Sequence, residues 1–101
     1  MARSIFVYVP DRRSTEYNAL KKVIDTVFSG KDIVLAQDLE ELRARNYDVM
    51  ISLGDERQFR EVRERVEAMK LTRMPCIGYY RGPNIIRHLA TTLQFMGERA
   101  C

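Results

Sequence analysis

Tyr47-Asp48-Val49-Met50-Ile51-Ser52-Leu53-Gly54-Asp55-Glu56-Arg57-Gln58 changes its hydrophobic period at a single glycine. From Tyr47 to Gly54 the run is mostly apolar, which predicts a strand buried on both faces. Asp55 with Gln58 three residues later is a capping box, and Phe59, Val62, Val66 and Met69 follow at helical spacing. A strand that passes directly into a helix is half of a crossover, the connection that parallel strands require. The same helix carries Glu56 with Arg60 and Glu61 with Arg65 at the i, i+4 spacing that supports helices, so its charges predict a solvated face.

The pattern repeats on both sides of this stretch. Upstream, Ser4 to Val9 is another apolar, β-branched and aromatic run, ended by Pro10, and reads as an interior strand. From Ser14 onward Tyr17, Leu20, Val23, Ile24, Val27 and Phe28 share one helical face, and Gly30 supplies a stop. Asp32 to Ala36 is a short second strand, after which Asp38 and Glu41 predict a capped, short second helix ending near Asn46. Downstream, Pro75 to Tyr80 reads as a fourth strand with proline tolerated at its first position. Gly82-Pro83 opens a last helix whose core face is Ile85, Ile86, Leu89, Leu93 and Met96.

Strands alternating with helices in this way predict an α/β fold: a three-layer, doubly wound, four-stranded parallel sheet, flavodoxin-like or Rossmann-like, with strand order 2-1-3-4. Right-handed crossovers then put the first and last helices on one face and the middle two on the other.

Composition agrees with a single domain over residues 1–101: 46% hydrophobic and 31% charged residues exclude a disordered or fibrous chain. No apolar run approaches the roughly 20 residues that cross a bilayer, and the start lacks the basic-then-apolar layout of a secretion signal. Cys76 sits in an apolar run and Cys101 closes the chain, a spacing that matches neither a disulfide framework nor a zinc site. Cys76 is therefore expected as a core thiol, Cys101 as a terminal thiol, and the setting as cytoplasmic. A formal charge of +3, with 14 acidic residues interspersed among 17 Lys and Arg, permits nucleic acid as a partner without indicating it.

In an open parallel sheet, ligands bind outside the carboxyl ends of the strands, where the winding reverses. Four loops reach that edge: Pro10 to Thr15, Gln37 with Asp38, Gly54 to Arg57, and Arg81 to Asn84. The order 2-1-3-4 places the reversal between strands one and three. Asp11, Arg12, Arg13, Ser14, Gly54, Asp55, Arg57, Arg81 and Asn84 are accordingly the candidate ligand-binding residues. The arginines could grip phosphate or carboxylate in paired hydrogen bonds, Ser14, Thr15 and Asn84 could donate, and the glycines could admit a ligand to the backbone. The plainer alternative is that Ser14 or Thr15 and Asp55 cap helices, and that the glycines only turn the chain. Neither a dinucleotide fingerprint nor a P-loop is present, no metal-ligand set is expected, and the cofactor is left open.

Catalysis has less to stand on. His88, the single histidine, lacks an evident partner in the sequence and reads as a surface residue. Phosphorelay receiver domains share the topology but carry two acidic residues after the first strand, where this chain has Asp11 followed by Arg12, and they need a fifth strand. The strand ending in Pro10, the segment YDVMISLGD and the strand MPCIGYY together resemble, in hydrophobic pattern and loop position, the core of nucleoside deoxyribosyltransferases. That resemblance implies a small nucleotide-processing enzyme, although no segment among Glu56, Glu61 and Glu64 matches that family's nucleophilic glutamate.

Three functions therefore follow as expectations. The first is a small module binding a phosphate-bearing or other anionic ligand at the carboxyl edge of the sheet. The second is a non-enzymatic interaction protein, working as a homodimer or with another partner through a sheet edge or an apolar patch around Tyr79, Tyr80 and Phe95. The third is the nucleotide-processing enzyme.

Overall fold

The computed structural model describes residues 4–10, 16–82 and 84–96, the side chains of residue 16 and of residues 93–96 excepted. Four strands, β1 (Ser4–Tyr8), β2 (Asp32–Ala36), β3 (Val49–Leu53) and β4 (Cys76–Tyr80), form one sheet in the order β2-β1-β3-β4. Every pairing is parallel, with Ile5 beside Ile33 and Val49, and Val49 beside Cys76. The described residues also form three α-helices: α1 (Glu16–Val27), α2 (Glu56–Ala68) and α3 (Ile85–Met96). This is the doubly wound three-layer arrangement that the alternation of periods predicts.

The sheet divides the core in two because successive strand residues point to opposite faces. On one face Ile5, Val7, Leu35 and Ile51 pack with Ile24 of α1, Phe28 just past its end and Leu89 of α3. On the other, Phe6, Tyr8, Ala36 and Met50 pack with Val62 and Val66 of α2, and Phe6 meets Tyr47 edge-on at 5.1 Å. Burial follows position in the sheet. All five residues of β1 are buried, whereas no residue of β4 is.

Three local expectations are corrected. The segment after β2 is a 3-10 helix over Leu39–Arg43 rather than a short α-helix. Asp38 caps it by accepting from the Glu40 amide, and the 3-10 repeat of three residues per turn brings Leu39 and Leu42 onto the same side, where both are buried. In α1 the apolar face is narrower than the spacing implies. Tyr17, Leu20, Ile24 and Phe28 reach the core, while Val23 and Val27 are 41% and 56% exposed on its flank. On α2, Arg60 pairs with Glu56 at 3.0 Å as expected, but the second ion pair is Arg63 with Glu67 at 3.1 Å.

Cys76 also departs from expectation: it is disulfide-bonded and not a core thiol. Cys101 lies outside the described residues. No described helix is long and apolar enough to cross a membrane.

At the amino end of the sheet, polar side chains tie neighbouring segments. The Ser4 amide donates to Asp48 Oδ2 at 3.0 Å, and the Asp48 amide donates to Ser4 Oγ at 3.2 Å. Arg45 pairs with Asp32 at the start of β2 and lies over the Tyr47 ring, 4.7 Å from its centroid. That hydrogen-bonded carboxylate holds the Arg45 guanidinium above its ordinary pKa, keeping it cationic.

Candidate functional site

Parallel pairing puts all four carboxyl ends on the opposite edge, and the winding reverses between β1 and β3. The nine sequence-derived candidates divide there into three groups.

The first group, Asp11, Arg12, Arg13 and Ser14, lies outside the described residues. Their loop leaves β1 through Val9 and Pro10, and the Val9 amide still donates to the Ala36 carbonyl of β2 at 2.9 Å. The loop therefore departs from the centre of the sheet, beside the switch point.

The second group follows β3. The Gly54 amide donates to the Tyr80 carbonyl at 3.0 Å, which carries the β3–β4 pairing one residue past β3. Gly54 has φ +138°, a conformation that side chains disfavour, and a Cβ there would collide with Gln58 Oε1. The glycine is explained by that approach: Gln58 folds back over it so that its side chain accepts from the Asp55 amide at 3.0 Å, while Asp55 Oδ1 accepts from the Gln58 amide at 2.9 Å. The capping box read from the sequence is thus formed in both directions. Asp55 is committed to holding the N-terminus of α2, and Arg57 is exposed on its first turn.

The third group follows β4. Asn84 caps α3 by accepting from the Arg87 amide at 3.0 Å, and the Tyr80 hydroxyl donates to the Asn84 carbonyl at 3.1 Å. Gly82 fits beneath that hydroxyl, which an added Cβ would approach to 2.6 Å. His88 stacks on the Tyr80 ring, with centroids 4.4 Å apart and planes at 24°. Partial burial lowers the His88 pKa. His88 is thus a packing partner of β4 rather than a bare surface residue, a contact that its place in the sequence, eight residues beyond Tyr80, does not announce. Arg81 stays exposed, with no acidic partner among the described residues.

One group at this edge escapes sequence reasoning altogether. Ser52 is 1% exposed, and its hydroxyl has no hydrogen-bond partner among the described residues. The register sets it between Tyr8 of β1 and Tyr79 of β4, on the α2 face and one step below Gly54. A buried hydroxyl left unpaired costs on the order of 1–3 kcal/mol. The available signal was a lone serine inside the apolar run Val49–Leu53. Beside it, Tyr79 packs its ring on Phe59 at 5.0 Å while remaining 42% exposed.

Among the described residues, this edge offers guanidinium groups and hydroxyls and no nucleophile paired with a base. Among the described residues no group of three or more His, Cys, Asp or Glu could hold a metal ion. Comparison of the chain with protein-family models, curated proteins and solved structures finds no match.

Proposed function

We propose that the chain is a small binding module for a phosphate-bearing or other anionic ligand, held at the carboxyl edge of the sheet by Arg57 and Arg81 with Arg12 and Arg13. The strand order supports this reading: β1 and β3 are neighbours, so the carboxyl ends from which their loops start lie side by side at the reversal of winding. The Gly54–Tyr80 hydrogen bond further starts the Arg57 and Arg81 loops from adjacent points of β3 and β4.

The capping geometry sharpens how such a ligand is recognised. Asp55 and Asn84 already accept from first-turn amides of α2 and α3, and Asp55 adds a negative charge at the α2 terminus. Recognition then falls to arginine side chains, which grip oxyanions bidentately, rather than to helix amides. Binding of this kind weakens as salt rises, because exposed charges are screened.

A thermal-shift screen of inorganic phosphate, sugar phosphates and nucleotides tests the proposal. A ligand at 100 times its Kd stabilises the folded state by about 2.7 kcal/mol and raises the midpoint accordingly. The expected result is a shift that falls with added salt and disappears in Arg57→Ala/Arg81→Ala. A screen in which no phosphate-bearing compound moves the midpoint removes the proposal, as does a shift that the double variant retains.

A further inference from the structure

The outer edge of β4 differs from every other part of the sheet. The Cys76 amide donates to the Asp48 carbonyl at 2.9 Å and the Tyr80 carbonyl accepts from Gly54 at 3.0 Å, so both residues turn their backbone groups toward β3. Backbone direction alternates along a strand. Ile77 and Tyr79 therefore direct both N–H and C=O away from the sheet, and among the described residues β4 has no second neighbouring strand. Across Cys76–Tyr80 there is no charged residue and no proline, and the register with β3 is unbroken by a bulge. These are the devices that normally blunt an edge.

The flanks of this edge carry one sign of charge. Arg73 precedes it, 64% exposed and at 3.5 Å from Asp48, its one acidic partner among the described residues. Arg81 follows it, exposed and without an acidic partner among the described residues. Apolar surface lies alongside in Met74 and Tyr79, 43% and 42% exposed. Midway along, Gly78 leaves open space where a Cβ would meet nothing within 4 Å, room that a bulky side chain on an adjacent strand can fill.

We propose that β4 is a docking edge that takes an extended segment of a partner protein as a fifth strand, apolar in its middle and carrying a carboxylate at each end. Main-chain hydrogen bonds to Ile77 and Tyr79 supply the affinity, and Arg73 and Arg81 select the acidic ends. A second copy of this chain fits the edge poorly. Antiparallel pairing of two β4 strands about Gly78 brings Arg81 of each copy toward the Arg73–Pro75 end of the other, setting like charges together and meeting a proline that has no N–H to donate.

The test uses the full chain, labelled with 15N, and a seven-residue peptide of alternating valine and threonine with aspartate at both ends. The free monomer is expected to exchange its Ile77 and Tyr79 amides rapidly with solvent. Adding the peptide protects those two amides, and the lysine-ended counterpart binds at least about tenfold more weakly, a discrimination of about 1.4 kcal/mol. Arg73→Glu/Arg81→Glu, which alters only exposed side chains, is expected to reverse the preference between the two peptides. Slow exchange at Ile77 and Tyr79 in the free monomer overturns the proposal, because the edge is then already covered. A concentration-dependent dimer that protects the same amides overturns it in favour of a second copy. Failure of the aspartate-ended peptide to bind at millimolar concentration, or equal binding of the lysine-ended one, also overturns it. Arg81 also belongs to the proposed anion site, so Arg73→Glu alone separates the two: it is expected to weaken binding of the aspartate-ended peptide and to leave any phosphate-induced thermal shift unchanged, because Arg73 lies at the other end of β4.

Discussion

The sheet ends in two edges that are built differently. At β2 the outward carbonyl of Leu35 accepts from the Tyr17 hydroxyl of α1 at 3.1 Å, and the strand begins at Asp32, which Arg45 holds in an ion pair. Leu35 and Ala36 are buried. At β4 the outward groups of Ile77 and Tyr79 meet no such stopper among the described residues, and the strand has no buried residue. Both are parallel edge strands of five residues, so strand length does not separate them. The difference lies in what the neighbouring helix sends across. α1 contributes a hydroxyl to the edge of β2, while α2 and α3 contribute Phe59 and His88 to the faces of β4 and leave its rim alone. A parallel strand can thus be covered on both faces and still be open at its side.

The largest effect that bears on this contrast is on packing. Leu35→Ala, at a site 8% exposed, is expected to cost about 2–5 kcal/mol in urea unfolding, and Ile77→Ala, at a half-buried site, distinctly less. Equal losses would show that the two edges are equally packed and would break the comparison. Gly54→Ala comes next, because it strains a positive φ and drives a Cβ into Gln58 while β4 is fastened through the Gly54 amide. About 1–3 kcal/mol is expected from the same denaturation measurement.

Tyr17→Phe removes the stopper of β2 and keeps the ring in the core. It is expected to cost about 0.5–1.5 kcal/mol; no change would show that the Leu35 carbonyl is equally well served by water. Arg45→Ala breaks an exposed ion pair at the start of the same edge. Its expected cost is about 0–1 kcal/mol, shrinking as sodium chloride is raised.

The smallest effect is a pH dependence at β4. His88 has a folded pKa below its ordinary value of 6.5 because it is partly buried against Tyr80. The unfolded chain therefore takes up the proton first, and stability falls as pH drops below that ordinary value toward the lower folded pKa. Above the ordinary value this contribution is fully present. Unfolding midpoints measured from pH 7.5 downward should show the loss in the natural chain and a flatter profile in His88→Gln.

Where the local period was unambiguous, fold and sequence agree closely. The five-residue strands lie inside the runs Ser4–Val9, Asp32–Ala36, Tyr47–Gly54 and Pro75–Tyr80, and Asp55 with Gln58 forms the capping box that its spacing implies. The 3-10 helix is harder to read, since leucines three apart suit either helix type and only the backbone bonds, from the Glu41 amide to the Asp38 carbonyl and from the Ala44 amide to the Glu41 carbonyl, settle which. Of the nine candidate site residues, Gly54 and Asp55 do the local work that their residue types suggest. Asn84 turns out to be a cap as well, fixed by the fold of the loop around the Tyr80 hydroxyl. The buried hydroxyl of Ser52, unpaired among the described residues, and the stack of His88 on Tyr80 are beyond sequence reasoning, because each depends on which neighbour a side chain meets.

By itself, the sequence determined the alternation of strands and helices, the caps and the four loops that reach the carboxyl edge, all properties of residues close together in the chain. The tertiary structure decided what depends on distant pairings: that β1 and β3 are neighbours and that Gly54 is tied to Tyr80. It also decided that Tyr17 reaches the edge of β2 while, among the described residues, nothing pairs with the outer edge of β4. Hydrophobic period reports which face of an element is buried, but not which element lies beside it. Both edges carry the same period, and only the packing of α1 across β2 makes them different.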